Sequence, residues 1–228
     1  MMEICLARTD GFLQEALFWK GCREIDSERL EKVTACKTAE DKARSLCCGL
    51  LLQHKLRCYR RTKKRVELRY RYGKYGKPYL RDDPALYFSL SHSGSFAVLV
   101  IADREVGADL QTVRPLRDGL VRRTLSEAEY KRYTQMVSPE EKRDWFFRCW
   151  CAKESYAKLT GEGLRKEFRL LSLHGDGRQI RPGAICREYR PWDSCFVNVC
   201  VHKTDGDPGF PESAMDITEQ LYGLVGES

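Results

Sequence analysis

Long apolar runs are missing from this 228-residue chain. None approaches the ~18 residues that cross a bilayer as a helix, which argues against a membrane-spanning protein. A leader pattern is missing too: Glu3, Arg8 and Asp10 charge the first ten residues, so the protein is expected in the cytoplasm with no membrane partner. Histidine is scarce, with His54, His92, His174 and His202 making the full set. None of the eleven cysteines forms a C-x-x-C pair; the close ones are Cys47-Cys48 and Cys149-x-Cys151. These spacings do not fit a zinc finger. With no secretory pattern, the cysteines are expected to be reduced thiols acting as small core residues. There is no Walker-type loop, no G-x-G-x-x-G and no nucleophile triad.

What is present is a sufficient apolar fraction, 42%, for a buried core, and unevenly spread charge. The chain is +7 overall, yet residues 55–81 hold twelve Lys/Arg against Glu67 alone, a local +11. Such a field attracts an anion, either a phosphorylated cofactor or an acidic protein, unless it is only a solvated face. A nucleic-acid module is one competing reading, but no aromatic RNP-like strand or helix-turn-helix signature accompanies the charge. No nucleic-acid partner is therefore expected.

Periodicity organises the rest. Ala43, Leu46, Cys47, Leu50 and Leu51 recur at three- and four-residue steps, which predicts a helix over 39–57 with Arg44 and Ser45 at the edges of its apolar face. Val66, Leu68, Tyr70 and Tyr72 alternate with charged residues, the pattern of a half-buried strand. Strands are predicted over 87–90 and 96–102, joined across a polar turn from Ser91 to Ser95, and over 105–111. Ser126-Glu127-Ala128-Glu129 reads as a capping box. Ser138-Pro139 opens a further helix that runs to about Leu159 and ends at Gly161 and Gly163. Strand-like patches follow over 168–173, 183–189 and 194–202, then a turn-rich stretch over 205–211 and a tail. The second half repeats the plan of the first, helix then strands, without any repeat in the letters.

Four short blocks carry chemistry. Asp109 and Gln111, two apart on a predicted strand, project to one face. Asp is poorly suited to a strand interior, so a buried carboxylate there needs a metal, a base or water. Glu154 and Lys158 are spaced i, i+4, as in a surface ion pair; Trp145, Phe146, Phe147 and Trp150 nevertheless give the helix an apolar seam where an unpaired charge is expensive. Ser91-His92-Ser93 offers hydroxyls and an imidazole that can bind phosphate, and Gly76-Lys77-Pro78 is a turn by composition.

Singly these signals are weak, but their order is specific. A lysine after a Gly turn, then Ser-His-Ser, then Gly107-Ala108-Asp109, then the helix Trp150-x-x-Lys153-Glu154-Ser155-x-x-Lys158 resembles the full motif set of the Sfp-type 4′-phosphopantetheinyl transferases. The likeness runs from about Glu28 to the tail. It implies an α/β (α+β) fold of two similar subdomains with pseudo-twofold symmetry, divided at about 1–105 and 106–228, with coenzyme A in the cleft between them. It implies transfer of phosphopantetheine from coenzyme A to a serine of an apo acyl or peptidyl carrier protein, with 3′,5′-ADP leaving; a relative that binds coenzyme A without turnover is the competing reading.

On the matching positions Asp109, Gln111 and Glu154 would hold Mg²⁺, or Mn²⁺, with Gln111 standing where many relatives carry an acid. Lys158 would contact the reacting phosphate, and Glu154 is the candidate base, directly or through a metal-bound water. Lys77, Ser91 and His92 would bind the nucleotide, and Arg29, Lys32, Arg44 and Ser45 would lie near the 3′-phosphate. The carrier would dock on the segment bounded by Thr112 and Tyr133, which is net +3 and interleaves Leu116, Leu120, Val121 and Leu125 with Arg114, Arg117, Arg122, Arg123, Lys131 and Arg132. The length fits a monomer whose two halves form a pseudo-dimer.

Overall fold

Two 22-residue helices, each laid along one face of a largely antiparallel sheet, set the architecture. The computed structural model describes residues 1–116, 118–163, 168–174, 179–180, 183–204 and 209–226. Arg117 and most of the expected turn at 205–211 lie outside the described residues.

The chain opens with β1 (Met2–Arg8), α1 (Glu15–Glu24), α2 (Ser27–Thr34) and α3 (Ala39–Arg60). A small hairpin, β2 (Tyr70–Tyr72) and β3 (Pro78–Leu80), precedes β4 (Tyr87–Ser93) and β5 (Phe96–Ala102). The second half runs β6 (Val106–Thr112), α4 (Asp118–Thr124), α5 (Glu127–Gln135), α6 (Pro139–Thr160), β7 (Leu173–His174), β8 (Gln179–Ile180), β9 (Ala184–Trp192) and β10 (Cys195–His202). A tail adds β11 (Met215–Asp216) and α7 (Thr218–Gly226).

The sheets have orders β11-β1-β5-β4 and β6-β10-β9-β8-β7. Within them, β1-β5-β4 and β6-β10-β9 are the same antiparallel arrangement, and a long helix intervenes after the first strand in each. The duplication is therefore one of topology, which a comparison of letters cannot see.

Strand periodicity builds the layers. Ile4 and Leu6 of β1, Val98 and Val100 of β5, Val106, Ala108 and Leu110 of β6, and Val197 and Val199 of β10 meet in a core between the two sheets. The alternate residues Cys5, Ala7, Leu99 and Ile101 turn outward to α3, and Gly107, Asp109 and Gln111 of β6 are left facing α6. The order is helix, sheet, sheet, helix. The caps are those the sequence indicates: Ser126 and Glu129 close a capping box, and Ser138 caps α6 with proline in its first turn, each cap contributing about 1 kcal/mol. Gly161, at φ 70°, ends α6.

Five expectations are corrected. The strand-like patch expected over 168–173 is a 3-10 turn at Phe168–Leu170, and strand begins only with β7 at Leu173. The strand expected over 66–72 is reduced to β2, because the backbone of Val66 is clamped by the buried Gln53 amide (3.0 and 2.6 Å) and not by a neighbouring strand. The polar turn expected over 91–95 is mostly strand: β4 continues to Ser93 and the reversal falls at Gly94 and Ser95. The cysteines are not all thiols, since Cys186 and Cys200 sit directly opposite on β9 and β10 and form a disulfide. The tail, expected with the second half, returns to the first, where β11 pairs in parallel with β1 and Leu221 and Val225 enter the core around α3.

Between β4 and β6 the two sheets meet without a backbone ladder. Ser89, Ser91 and Ser93 share one face of β4 and supply the bonds instead. The Ala108 amide donates to Ser89 Oγ (2.9 Å), the Thr112 amide donates to Ser93 Oγ (3.2 Å), and Ser91 Oγ donates to Asp109 Oδ1 (2.7 Å).

Candidate active site

Asp109 is 2% exposed in the middle of β6. A buried carboxylate must be partnered, and three donors meet it. Lys158 Nζ and Ser91 Oγ donate to Oδ1, each at 2.7 Å, and Gln111 Nε2 donates to Oδ2 at 2.8 Å. Lys158 reaches it because β6 and α6 lie in direct contact at Gly107. A Cβ there would fall 2.1 Å from the Ser155 carbonyl oxygen and 2.2 Å from the Leu159 amide nitrogen. Only the missing side chain lets helix and strand approach so closely.

Glu154 lies one helical turn before Lys158 and faces the same space. Among the described residues its carboxylate makes no hydrogen bond. Desolvation, and then the charge of Asp109, push it up to about 7, against the pull of Lys158. Two carboxylates that repel one another, one of them without a donor, suit a hard divalent cation. The Gln111 amide nitrogen is committed to Asp109, which leaves its carbonyl oxygen as the third donor toward such an ion. Among the described residues no group of three His, Cys, Asp or Glu side chains is gathered as a metal site. The oxygen set of Asp109, Glu154 and Gln111 fits Mg²⁺ or Mn²⁺ when phosphate and water complete the shell.

Beside this cluster opens a cavity of about 340 Å³ lined from both halves: Arg29 and Lys32 of α2, Tyr72 and Lys77 from the β2–β3 hairpin, Ser89 and Leu90 of β4, and Ala157, Lys158 and Gly161 at the end of α6. The guanidinium of Arg29 makes no hydrogen bond among the described residues, and its side chain passes over Gly49, where a Cβ would lie 2.7 Å from Arg29 Cγ. Lys32 bonds Glu28 (2.9 Å) and the Tyr72 hydroxyl (2.7 Å) at the rim. His92 projects outward beside the cluster. Although exposed, its ring is flanked by enough protein that desolvation, followed by Arg44 and Lys158, holds its imidazole below the ordinary range.

Not every expected residue reaches this cavity. The Lys77 ammonium turns to Glu105 (2.5 Å), the Val106 carbonyl (3.1 Å) and the Leu159 carbonyl (3.0 Å), so its three protons tie the hairpin to the second half and only its stem lines the wall. Ser91 points inward from a strand and holds Asp109. Arg44 is engaged by Asp41 (2.5 Å) and the Gly94 carbonyl (3.0 Å), and Ser45 is buried in α3; neither lines the cavity. Sequence reasoning named Gly107 only within its motif block and missed its packing role, although a lone glycine inside a strand signals close backbone approach. It also missed the pair Lys153–Glu129, which carries no local signature beyond a lysine set among aromatics.

The segment 112–133, read from the sequence as basic and partly apolar, presents mainly its basic residues at the surface. Val121 and Leu125 point inward against Phe146 and Phe147. Arg122 and Arg123 of α4 and Lys131 and Arg132 of α5 remain exposed, with Arg122 over the Tyr130 ring (4.9 Å) and Arg132 over Trp145 (4.1 Å). The surface is basic and aromatic, with Leu116 and Leu120 only partly withdrawn into the core.

The chain resembles known proteins of one enzyme family. The model of a family described as the 4′-phosphopantetheinyl transferase superfamily matches residues 105–202. The 4′-phosphopantetheinyl transferase ffp of Bacillus subtilis is 30% identical over 208 residues, spanning 87% of this chain and 88% of its own. The 4′-phosphopantetheinyl transferase Sfp of Bacillus subtilis strain 168 is 30% identical over 207 residues with the same coverage. Among solved structures, the holo-[acyl-carrier-protein] synthase of Thermotoga maritima aligns with 47% of this chain and 71% of its own at 20% identity, with a TM-score of 0.36.

Proposed function

The chain belongs to the 4′-phosphopantetheinyl transferase superfamily, and from that premise we propose that it moves 4′-phosphopantetheine from coenzyme A to a serine of an apo acyl or peptidyl carrier protein at the Asp109–Glu154–Lys158 cluster. The observation that carries the assignment is the pair of mutually repelling carboxylates beside an ammonium at the edge of a cavity built from both halves.

Asp109, Glu154 and the Gln111 carbonyl would hold Mg²⁺, or Mn²⁺, which when bound supplies positive charge next to the pyrophosphate. Arg29 and Lys32 offer cations to the phosphates of the nucleotide. Lys158, already oriented by Asp109, neutralises charge that develops as the bond to 3′,5′-ADP breaks. Glu154 takes the proton of the attacking serine, through the carboxylate oxygen not turned to the ion or through a water. The serine oxygen then bonds to the β-phosphorus and the nucleotide departs with the electron pair of the broken bond.

The halves are read as 1–105 and 106–228, with the tail crossing back, and the protein as a cytoplasmic monomer. Duplicated halves within one chain support the monomer. No helix among the described residues is long and apolar enough to cross a membrane.

Intact mass spectrometry of an apo carrier incubated with the protein, coenzyme A and Mg²⁺ tests the reaction. The carrier should gain the mass of phosphopantetheine, and EDTA or Asp109→Ala should suppress the gain. Full turnover by Asp109→Ala would remove the metal assignment. The exposed arginines of α4 are proposed to meet the acidic helix of the carrier. Arg122→Glu with Arg123→Glu is expected to raise the carrier KM about tenfold or more while coenzyme A affinity holds. Equal losses for both substrates would end the docking assignment.

A further inference from the structure

α5 bears part of the basic face assigned to the carrier, yet it has little apolar anchorage. Of its nine residues only Glu129 is buried; Tyr130 and Tyr133 are half-buried. Its anchor is polar. Lys153 of α6, 0% exposed, donates to the Thr124 carbonyl at the end of α4 (2.7 Å) and to Glu129 Oε2 in the first turn of α5 (2.5 Å). Glu129 Oε2 also accepts from the Ser126 amide (2.8 Å), while Oε1 accepts from the Leu173 amide of β7 (2.9 Å). The knot joins the end of α4, the first turn of α5, α6 and the backbone at Leu173, through an ammonium on the residue next to Glu154.

Stability alone does not account for such a pair. Burying two charges is costly, and an apolar replacement of similar volume is often neutral or stabilising. The best attested use of a buried pair is to fix one arrangement among several. Here the arrangement concerns the helices that carry Arg122, Arg123, Lys131 and Arg132, set against the helix that carries Glu154 and Lys158.

We propose that the buried Lys153–Glu129 pair is a positioning device that sets the carrier-docking helices α4 and α5 in register with the catalytic helix α6. The inference rests on the docking assignment above. It makes Lys153 and Glu129 determinants of carrier recognition, although neither touches the surface.

The test uses Lys153→Met with Glu129→Gln, which leaves no lone charge buried, alongside Lys153→Met alone. The probe is an apo acyl carrier protein or an excised peptidyl carrier domain, whichever the wild-type protein loads. Amide hydrogen exchange across 127–135 should quicken about tenfold or more in the double variant. The carrier KM should rise about tenfold, with kcat at saturating carrier and coenzyme A affinity within about twofold of wild type. Unchanged exchange and unchanged KM would overturn the inference. So would a fall in kcat at constant KM, which would assign the pair to Glu154 alone. Charge reversal at Arg122 and Arg123 separates the two levels: a carrier KM indifferent to it removes the docking assignment itself, whereas a KM that responds to it but not to the double variant removes only the positioning role.

Discussion

Glu154→Gln is expected to cost about 10³-fold in transfer while making the metal-free protein more stable above neutral pH. The two effects share a cause. In the folded chain the carboxyl is desolvated and faces Asp109, so its proton is held up to about 7, against 4.5 for the free group. An acid whose folded value is raised favours folding in its protonated form. Its ionisation costs nothing below 4.5, costs progressively more as pH rises toward 7, and stays at the full penalty above that. The penalty amounts to roughly 1–3 kcal/mol once the partial exposure of the side chain is allowed for. Glutamine keeps the shape and removes the charge. In EDTA at pH 8 the variant should therefore melt several degrees above wild type, and near pH 4.5 the two should coincide. Adding Mg²⁺ at pH 8 should raise the wild-type Tm and leave the variant nearly unmoved, because the ion relieves a repulsion the variant no longer has. A variant that melts below wild type by the same margin at both pH values would show that Glu154 has a donor after all.

Gly107→Ala is expected to be among the most damaging single substitutions in the chain. The added methyl would enter the backbone of α6, at Ser155 and Leu159, and backbone cannot rotate aside as a side chain can. Overpacking a core typically costs 1–3 kcal/mol; with three backbone atoms in the way, about 3 kcal/mol or more is expected. The helix must then stand off from β6 by an ångström or so, carrying Glu154 and Lys158 away from Asp109, which is worth a further ~10²-fold in rate. Gly223→Ala in α7 supplies the contrast, since a Cβ there meets nothing within 4 Å and alanine favours a helix. Chemical denaturation of the two variants should place them on opposite sides of wild type. A Gly107→Ala protein with native stability and rate would disprove the close contact.

The helix that carries Glu154 and Lys158 was legible in the sequence from end to end, because Ser138-Pro139 and Gly161 act locally. The shared face of Asp109 and Gln111 was legible for the same reason, strand alternation. Ser91 was misread because a run of small polar residues resembles a turn, whereas here hydroxyls on one face of β4 are what the neighbouring strand requires. The disulfide depends on which residues of β9 and β10 stand opposite each other, and that register comes from pairing over a distance. Arg44 and Ser45 lie outside the cavity, and a position on a helix edge does not say which way the helix is turned toward a cleft. Lys153–Glu129 joins residues 24 apart through a fold that neither announces.

The returning tail bears on how the chain is made. Translation delivers residues 1–105 first, yet the sheet of that half gains its outer strand only from β11, and Leu221 and Val225 fill a core begun at the N-terminus. The first half to leave the ribosome is thus the last to be completed. Until then β1 has an open edge and α3 an uncovered flank. The second half has its long helix and its β6, β10 and β9 strands in one continuous stretch of chain and can close without that wait. A nascent chain must therefore keep the edge of β1 from other partners until its own tail arrives.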